Sequence, residues 1–518
     1  MTKTPQLPDD VDALKTLLSE KNAYIDNLEV KVLTLQEQLN LSIARRYAAS
    51  SEKISSDQLR LFDEAEVDTN NDDTHNNNGI DDTVIISSHT SKSKTGRKAL
   101  PENLPRLDVL HELNEAERVC DHDGNPLTEI GEEISEQLDI IPAKIQVLRH
   151  IRKKYACRCG QCIKTAPLPN QPIPKSLASP GLLAHITVSK YQDALPLYRQ
   201  EQILQRIGVT IPRATLANWM IQMGNSVQPM INLCRDRLLS YDIIHMDETT
   251  VQVLDEPDKK AQSKSYLWVQ RGGPPEKPVV LFDYDPGRSQ SVPIRLLDEF
   301  NGALQTDGYA GYNAVVNKNG LIHLGCWAHA RRKFTEVIKA QGKSKNKKTG
   351  KAQRGLVFIQ KLYKIEKILR NTSADERFTI RQQQSVPIIE QCRAWLDDSL
   401  PTVPPTSVVG KALAYLNNEW PKLIRYLEDG RYLMDNNLAE NAIRPFVIGR
   451  KNWLFSQSVK GVKASANLYS LIETAKANRL EPYAYLRYLF AELPQAKTVD
   501  DIEALLPGNI QPEILNVN

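Results

Sequence analysis

Residues 245–253, HMDETTVQV, place Asp247 and Glu248 inside a run that otherwise has the composition of a buried β-strand. Asp and Glu are depleted from strand interiors, and burying an unpaired carboxylate is costly in free energy. One explanation is an edge strand whose charged residues face solvent. The other is that one carboxylate binds a metal ion, whose positive charge offsets the cost of burial.

The elements that follow predict a specific sheet. Three consecutive strands, with turn residues between them, are predicted in YDIIHMDETTVQVL, KSYLWVQRG and PVVLFDYD. Next come a helix (SQSVPIRLLDEF), a fourth strand (GALQTDG), a short helix (YAGYNAVV), a fifth strand (LIHLGCW) and a further helix (AHARRKFTEVIKA). The order βββαβαβα is that of the ribonuclease H-like fold. Its first and fourth strands are neighbours, so Asp247 in mid-strand and Asp307 at a strand end are expected to converge.

A third carboxylate is predicted on a helix further along the chain. The stretch LMDNNLAENAIRPFVIGRKNWLF is predicted to be helical from about Asn437, with Glu440, Arg444 and Lys451 facing the sheet at successive turns. Carboxylate oxygens are ligands that Mg²⁺ or Mn²⁺ prefers, and two such ions about 4 Å apart catalyse in-line phosphoryl displacement. The candidate metal ligands are Asp247, Asp307 and Glu440, and the cations expected to hold DNA phosphate beside them are Arg444, Arg450 and Lys451.

Composition sets broad limits on the class of protein. The chain has 518 residues, of which 41% are apolar and 25% charged, as in a globular protein of about three or four units. The absence of a long apolar run predicts no membrane span, and the N-terminus, MTKTPQLPDDVDALK, lacks the layout of a signal peptide. Seven cysteines, an odd number, argue against a disulfide framework and for the cytoplasm.

The N-terminal region predicts a helix followed by a linker. Residues 11–41 carry an apolar seam typical of a short coiled coil, with an amphipathic helix packing on its own domain as the alternative. The seam consists of Leu14, Leu18, Ile25, Leu28, Val32, Leu35 and Leu39. Residues 63–82 contain eight acidic and no basic residues, which indicates a disordered linker. A basic arm, SKSKTGRKALP, follows; it suits DNA phosphates or forms a solvated tail.

Four cysteines between residues 100 and 165 predict a zinc-ribbon-like unit. Zinc ribbons normally use two Cys-x-x-Cys pairs, whereas position 123, where the first pair would be completed, is Asp. Either His122 or Asp123 completes a tetrahedral Zn²⁺ site, or the site is degenerate. The candidate thiolate ligands are Cys120, Cys157, Cys159 and Cys162.

Two further segments are candidates for DNA contact. In LYRQEQILQRIGVTIPRATLANWMIQM a helix is predicted to end at Gly208 and another to begin with Pro212 in its first turn. This pattern matches a helix-turn-helix, although any helical hairpin would look similar; the residues expected to face a groove are Arg213, Thr215 and Asn218. From Val337 to Ile365 there are nine Lys or Arg and no acid, which indicates a phosphate-binding insertion or a solvated loop. Its most basic run contains Lys345, Lys347 and Lys348.

Several long motifs resemble one family. HMDET, TDGYAGYNAV, GCWAHARRKF and DNNLAENAIRPFVIGRKNWLF are similar to motifs of the large transposase of insertion-sequence family 66. SEQLDIIPAKIQVLRHIRKKYAC, GRKALPENLPR and SSEK are also similar, so the resemblance covers nearly the whole chain in order. It implies a DDE transposase whose metal-binding triad is Asp247, Asp307 and Glu440.

The resemblance also implies the domain organisation of a multidomain α+β protein. The expected regions are a leucine-zipper-like coiled coil (1–55), an acidic then basic linker (56–99), a zinc-binding-like domain (100–170), a helix-turn-helix region (175–238), the first part of a ribonuclease H-like catalytic core (239–340), a helical basic insertion (341–430), the last part of the core (431–480) and a C-terminal tail (481–518).

Two positions depart from the family pattern. Asp123 leaves the first cysteine pair incomplete, and Gly508 stands where the family usually has Trp, so docking of the tail is expected to differ. The element Cys326-Trp-Ala-His329 resembles a Cys-x-x-His element of several transposase families, and either supports the active site or is structural. Glu248 and Asp285 are interpreted as surface or supporting residues.

The function expected from these features is cleavage of an element's 3′ ends and their transfer into target DNA. The expected partners are terminal inverted repeats, target DNA, further copies of the chain in a homo-oligomer, and accessory proteins of the same element, all at the nucleoid. Three rivals are a nuclease of the same fold, a transposase-derived DNA-binding regulator or inactive copy, and a structural coiled-coil protein, which would explain only the first 45 residues. Loss of a triad carboxylate would favour the regulator, yet all three are present.

Overall fold

A computed structural model describes residues 169–340 and 350–515, together with residues 145–156, 163–165 and 167 and single residues between 10 and 24. The chain divides into two compact units, one made of Met1–Asn70 and Pro169–Asn518 and the other of Asn71–Leu168. The described residues from Asp12 to Tyr24 are helical. The rest of the predicted coiled coil, the linker and the basic run with Lys345, Lys347 and Lys348 lie outside the described residues.

The described part of the smaller unit is an antiparallel hairpin of two short strands, β1 (Lys154–Ala156) and β2 (Ile163–Thr165). The two strands flank the chain segment that carries three of the cysteines. All the predicted zinc ligands lie outside the described residues, so the zinc site stays a prediction; they are Cys120, His122 or Asp123, Cys157, Cys159 and Cys162.

Between residue 169 and the sheet, the larger unit contains four helices: α1 (Pro180–Tyr191), α2 (Leu197–Arg206), α3 (Arg213–Ser226) and α4 (Gln228–Leu239). Helix α1 begins at a proline whose missing N–H costs nothing there, and Ser179 caps it by accepting the Leu182 N–H at 3.2 Å. The turn after α2 contains Gly208 at φ +83°, a conformation that favours glycine. Pro212 immediately precedes α3 instead of lying in its first turn.

The sheet is mixed and is built from β3 (Ile243–Asp255), β4 (Lys264–Gly272), β5 (Val279–Asp285), β6 (Ala303–Gln305), β7 (Ile322–Leu324) and the short β8, which follows later in the chain. Its order is β5-β4-β3-β6-β7, with the first three strands antiparallel and β6 and β7 parallel to β3. The predicted neighbourhood of the first and fourth strands is therefore confirmed. Because β3 pairs on both sides, the edge-strand explanation for Asp247 is wrong.

The helices between these strands and in the insertion are α5 (Ser291–Leu296), α6 (Asn313–Asn319), α7 (Trp327–Ala340), α8 (Lys351–Ile368), α9 (Ala374–Ile380), α10 (Val386–Ser399) and α11 (Val408–Leu423). Helices α8 and α10 are amphipathic, and each contributes buried residues to an apolar core. Arg381, in a π-helical turn between α9 and α10, is fully buried and forms a bidentate pair with Glu366 at 2.7 and 2.8 Å. This buried ion pair connects α8 to the turn between α9 and α10 and stabilises the insertion.

The last elements are α12 (Asn437–Trp453), β8 (Ser456–Ser458), α13 (Val459–Ala477), α14 (Pro482–Glu492), α15 (Val499–Ala504) and α16 (Pro512–Leu515). The predicted helix start at Asn437 is confirmed. Helix α13 covers the edge strand β5, where Ser470 Oγ accepts the Phe282 N–H at 2.8 Å, so this edge is protected. The predicted tail docks too, with Leu489 and Leu505 buried in the main core despite Gly508.

Two apolar cores stabilise the larger unit. The first lies between the sheet and the helices α1, α3, α13 and α14. The second lies among the insertion helices and α7, around Trp327, Phe334 and Trp395. None of the helices in the described part of the chain is long and apolar enough to cross a membrane.

Candidate active site

The register of the sheet places Asp247 and Asp307 level with each other. His245 of β3 is the partner of Gln305, the last residue of β6, and each aspartate lies two residues beyond this pair. Parallel strands keep the same spacing, so the two aspartates leave the paired region together. The structure thus brings together the two residues that the sequence predicts to converge.

Asp247 lies among three other carboxyl groups, and its surroundings shift its pKa upward. Burial raises its pKa well above the ordinary range, and the negative charges of Glu248, Asp307 and Glu440 raise it further. The N–H of Glu248 donates to Asp247 Oδ1 at 2.8 Å, which offsets only part of this cost. A buried carboxylate among three others is a site where a cation would be strongly favoured.

Asp307 is held by the turn that follows β6. Its Oδ1 accepts the Tyr309 N–H at 2.9 Å, and its carbonyl oxygen accepts the Tyr415 hydroxyl at 3.1 Å. The next residue, Gly308, has φ +91°, and a Cβ there would lie 3.1 Å from the Glu419 carboxylate. Glycine therefore lets the chain turn sharply next to the aspartate.

Glu440 reaches the site from the first turn of α12, where a negative charge is favoured by the helix dipole. Burial acts to raise its pKa, but a hydrogen bond from His329 and the charges of His329, Arg332 and Arg444 outweigh burial and lower it. Its Oε1 lies 3.1 Å from His329 Nε2, and its Oε2 lies 3.7 Å from an Arg332 nitrogen. In this conformation Glu440 is charged and bound to helix α7.

Cys326 lies beside this pair. One ligand atom each from Cys326, His329 and Glu440 lie within 4.8 Å of one another, a spacing at which three groups could hold a metal ion. Cys326 is fully buried, and its sulfur accepts the Asn436 N–H at 3.3 Å. Burial raises the pKa of the Cys326 thiol well above its ordinary value. The Cys326-Trp-Ala-His329 element thus contacts Glu440 through His329, while the Cys326 side chain is buried next to this pair.

Glu248 is buried beside Asp247 and has its own partners. Its side chain is 2% exposed, and it accepts hydrogen bonds from both Arg288 and the Tyr312 hydroxyl, the latter at 2.5 Å. The Arg288 guanidinium in turn lies 3.8 Å from the centre of the Tyr309 ring. Glu248 is therefore a buried, hydrogen-bonded neighbour of Asp247 and not a surface residue. Asp285, at the end of β5, accepts the Arg295 guanidinium at 3.0 Å.

Asn436 is a supporting residue that sequence reasoning missed. It is fully buried, donates from Nδ2 to the Met246 carbonyl at 2.8 Å, and lies 3.2 Å through Oδ1 from His245 Nδ1. One side chain thus fixes the start of α12 against β3, next to Asp247. The sequence marks Asn436 only as a residue before a predicted helix start.

The residues predicted to contact DNA occupy two regions. On α3, Arg213 and Asn218 are exposed and Thr215 is half-buried. On α12, Arg444 is half-buried beside Glu440, and Lys451 is exposed. The prediction that Lys451 faces the sheet is wrong, because this side chain is exposed to solvent. Arg450 faces the sheet instead, and its Nη1 donates to Thr249 Oγ1 at 3.2 Å and to the Thr250 carbonyl.

Comparison with known proteins identifies relatives along the chain. Models described as Transposase IS66 family, IS66 C-terminal element, zinc-finger binding domain of transposase IS66 and Transposase C of IS166 homeodomain match residues 175–464, 470–507, 117–160 and 34–109, respectively. The uncharacterized protein y4qI of Sinorhizobium fredii is 31% identical over 98% of both chains. The uncharacterized protein y4jD of the same organism is 35% identical over 79% of this chain and 81% of its own. The chain belongs to the IS66 family of transposases.

Proposed function

We propose that this chain is a DDE transposase with a ribonuclease H-like catalytic core, in which Asp247, Asp307 and Glu440 hold two Mg²⁺ or Mn²⁺ ions. The observation that carries the proposal is the pairing of β3 with β6, which places Asp247 and Asp307 level with each other, each two residues beyond the paired His245 and Gln305. Glu440 lies close enough to raise the pKa of Asp247 together with Glu248 and Asp307. Family membership supports a transposase. The strand order, with the first strand between the second and the fourth, supports the fold.

The residues present fit a divalent cation. All three groups offer hard carboxylate oxygens, which Mg²⁺ prefers, and Asp247 sits among like charges that a cation would neutralise. Glu440 is bound to His329 at 3.1 Å, so a rotation of its side chain would be needed to join both aspartates. The chemistry that two bound ions supply is activation of the attacking hydroxyl and stabilisation of the leaving oxygen.

The reaction we propose has two phosphoryl transfers. In the first, a water oxygen attacks the phosphorus at an element end, and the broken P–O bond releases the element's 3′-hydroxyl. In the second, that 3′-hydroxyl attacks a target phosphorus and releases a 3′-hydroxyl of the target strand. His329 and Arg332 keep Glu440 ionised and in reach, while Arg288 and Tyr312 hold Glu248 so that only its charge acts on Asp247.

Other parts of the chain would hold the DNA. Arg213 and Asn218 are exposed on the second helix of the helix-turn-helix, and Arg444 and Lys451 follow Glu440 along α12. Lys and Arg that contact phosphates supply most of the sequence-independent affinity for DNA. Pairing of two element ends requires more than one copy of the chain, and we assign this to the N-terminal seam and to accessory proteins of the same element.

Transposition in cells tests the proposal. Asp247→Asn, Asp307→Asn and Glu440→Gln should each reduce the transposition frequency to background, a larger loss than the roughly ten- to hundredfold that a supporting partner costs at a metal site. Each variant should still bind terminal-repeat DNA, measured by gel shift. A wild type that binds DNA but never transposes would favour the regulator or inactive copy, and movement that survives one substitution would remove that residue from the triad.

Metal binding can be measured without activity. Mg²⁺ that binds only the folded state stabilises it by about 2.7 kcal/mol at a concentration near 100 times its Kd, so wild type should melt at a higher temperature with Mg²⁺. Asp247→Asn should lose this shift. Without Mg²⁺ this variant should melt no lower than wild type, because it replaces a carboxyl group whose charged form is disfavoured by burial and by its acidic neighbours. An equal Mg²⁺ shift in both proteins would exclude Asp247 as a ligand.

A further inference from the structure

The C-terminal end of α12 is a strained turn. Leu454 has φ +68° and ψ −48°, and the Phe455 N–H donates to the Trp453 carbonyl at 2.8 Å. This is a γ-turn with a positive central φ, a conformation that is rare and strained for a residue with a side chain. Such strain persists only where the surrounding structure enforces it, and it is concentrated at functional sites.

The surroundings of this turn do enforce it. The Trp453 ring packs so closely on Gly449 that a Cβ there would lie 2.1 Å from the ring. The same ring lies 6.5 Å from that of Tyr469 in the main core. Asn452 Nδ2 donates to the Ala194 carbonyl at 2.9 Å, and β8 pairs with the far end of β3 directly after the turn. The turn is therefore held rigidly from both sides.

The strained turn presents apolar side chains to solvent. Leu454 is 65% exposed and Phe455 is 41% exposed, although both would gain from burial. Helix α12 therefore ends in a turn that exposes a leucine and an aromatic ring. We call Leu454 and Phe455 the apolar tip.

The chain around the apolar tip is basic. From residue 441 to residue 472 there are five basic residues and no acidic residue: Arg444, Arg450, Lys451, Lys460 and Lys463. Lys451, Lys460 and Lys463 are exposed. Asp255, at the end of β3, is engaged by Gln457 Nε2 at 2.7 Å. This charge is complementary to a phosphate backbone, so nucleic acid is the partner that fits both the charge and the exposed aromatic.

We propose that the apolar tip inserts into duplex DNA and stacks on an unstacked base near the cleavage site. The proposal rests on the proposed function, since Glu440 begins the helix that the tip ends. Fourteen residues of α-helix separate Glu440 from Leu454, or about 20 Å, which corresponds to about six base pairs. Leucine and phenylalanine are side chains that other proteins insert between base steps, and an aromatic ring stacks on any base.

Base unstacking can be measured directly with 2-aminopurine, whose fluorescence rises when it leaves the stack. The probe is a duplex with the terminal repeat of the encoding element and 2-aminopurine at single positions along its end. Wild type should raise the fluorescence at one or two adjacent positions about six base pairs from the cleaved bond. Phe455→Ala should reduce the affinity for this duplex about fivefold to a hundredfold and abolish the rise.

Two control variants separate the possible outcomes. Ile448→Ala removes an exposed apolar side chain of the same helix outside the tip and should leave the fluorescence rise within about twofold of wild type. Glu440→Gln should keep the rise while losing cleavage. A wild type that unstacks a base but never cleaves would contradict the proposed function and leave the tip's role intact.

Three results would overturn the proposal. The first is a full fluorescence rise in folded Phe455→Ala protein, whose melting temperature shows that it is folded. The second is a wild type that binds and cleaves the duplex without any rise. The third is a change in sedimentation of Phe455→Ala with unchanged DNA binding, which would make the tip a contact between copies of the chain.

Discussion

At the scale of single residues, the two ends of the carboxylate cluster have opposite electrostatics. The pKa of Asp247 is raised by burial and by its acidic neighbours, whereas that of Glu440 is lowered by His329, Arg332 and Arg444 against the effect of burial. The surroundings of Glu440 therefore favour its charged form, whereas those of Asp247 disfavour its charged form and would favour a bound cation. His329 is a positioning residue in this arrangement, since it acts through Glu440.

Two buried histidines predict an acid-sensitive core. Burial lowers the pKa of His323 to about 3 and that of His245 to about 4. A histidine with a lowered folded pKa contributes stability that is present above its ordinary pKa of 6.5 and is lost as the pH falls toward the folded value. Between pH 7 and pH 5 each should therefore cost the fold roughly 2 kcal/mol.

Urea unfolding at both pH values measures this loss. In His323→Gln the decrease in unfolding free energy from pH 7 to pH 5 should be smaller than in wild type by roughly 2 kcal/mol. His185, which is exposed on α1, provides the matched control, and His185→Gln should keep the wild-type decrease. Equal pH dependence in wild type and His323→Gln would show that His323 is not kept neutral by the fold.

At the scale of elements, α3 and α13 approach each other closely, and this contact joins the helices that precede the sheet to the sheet itself. A Cβ on Gly224 of α3 would lie 2.5 Å from the backbone of Ala464 in α13. Gly224→Ala should therefore destabilise the protein by about 1–3 kcal/mol through overpacking, which exceeds the roughly 1 kcal/mol that alanine gains in a helix. Chemical denaturation gives the unfolding free energy.

A second glycine on the same pair of helices is the control. Gly461 lies in the first turn of α13, and a Cβ there would meet only Ser458 Oγ at 3.5 Å. Gly461→Ala should be neutral or stabilising by up to about 1 kcal/mol. If both substitutions shift stability in the same direction, helix propensity and not interhelical packing governs the contact.

At the scale of the whole molecule, the predicted zinc unit is testable by metal analysis of the full chain. We expect about one Zn²⁺ per chain, the number that one tetrahedral site holds, and its loss in Cys159→Ser. Asp123→Cys, which completes the first cysteine pair, should raise the zinc affinity about tenfold or more, because thiolate is a stronger ligand of Zn²⁺ than carboxylate. Zinc retained in Cys159→Ser would assign the metal elsewhere.

The organisation of the larger unit explains why α12, which carries Glu440, lies so far along the chain from the two aspartates. The insertion helices α8, α10 and α11 form their own apolar core with α7, and the chain then returns through Asn436 to place α12 against β3. Glu440 is thus more than one hundred residues from both aspartates in sequence and still acts on the pKa of Asp247. The insertion therefore increases the sequence separation between Glu440 and the two aspartates, but Glu440 still lies near Asp247 in the fold.

The order of strands and helices, the helix start at Asn437 and the neighbourhood of Asp247 and Asp307 were predictable from the amino-acid sequence alone. These follow from periodicity, turn residues and strand order, which are local or topological properties. The predicted site could be named for the same reason, because a carboxylate in a strand interior is anomalous on local grounds alone.

The partners of these side chains depend on the tertiary structure. The bond from His329 to Glu440 spans 111 residues, and that between His245 and Asn436 spans 191. The burial of Glu248 and the strained turn at Leu454 likewise depend on distant segments that pack around them. Local patterns encode which element forms, but a side chain's burial, charge and partner depend on contacts between elements, and no pattern within one segment contains that information.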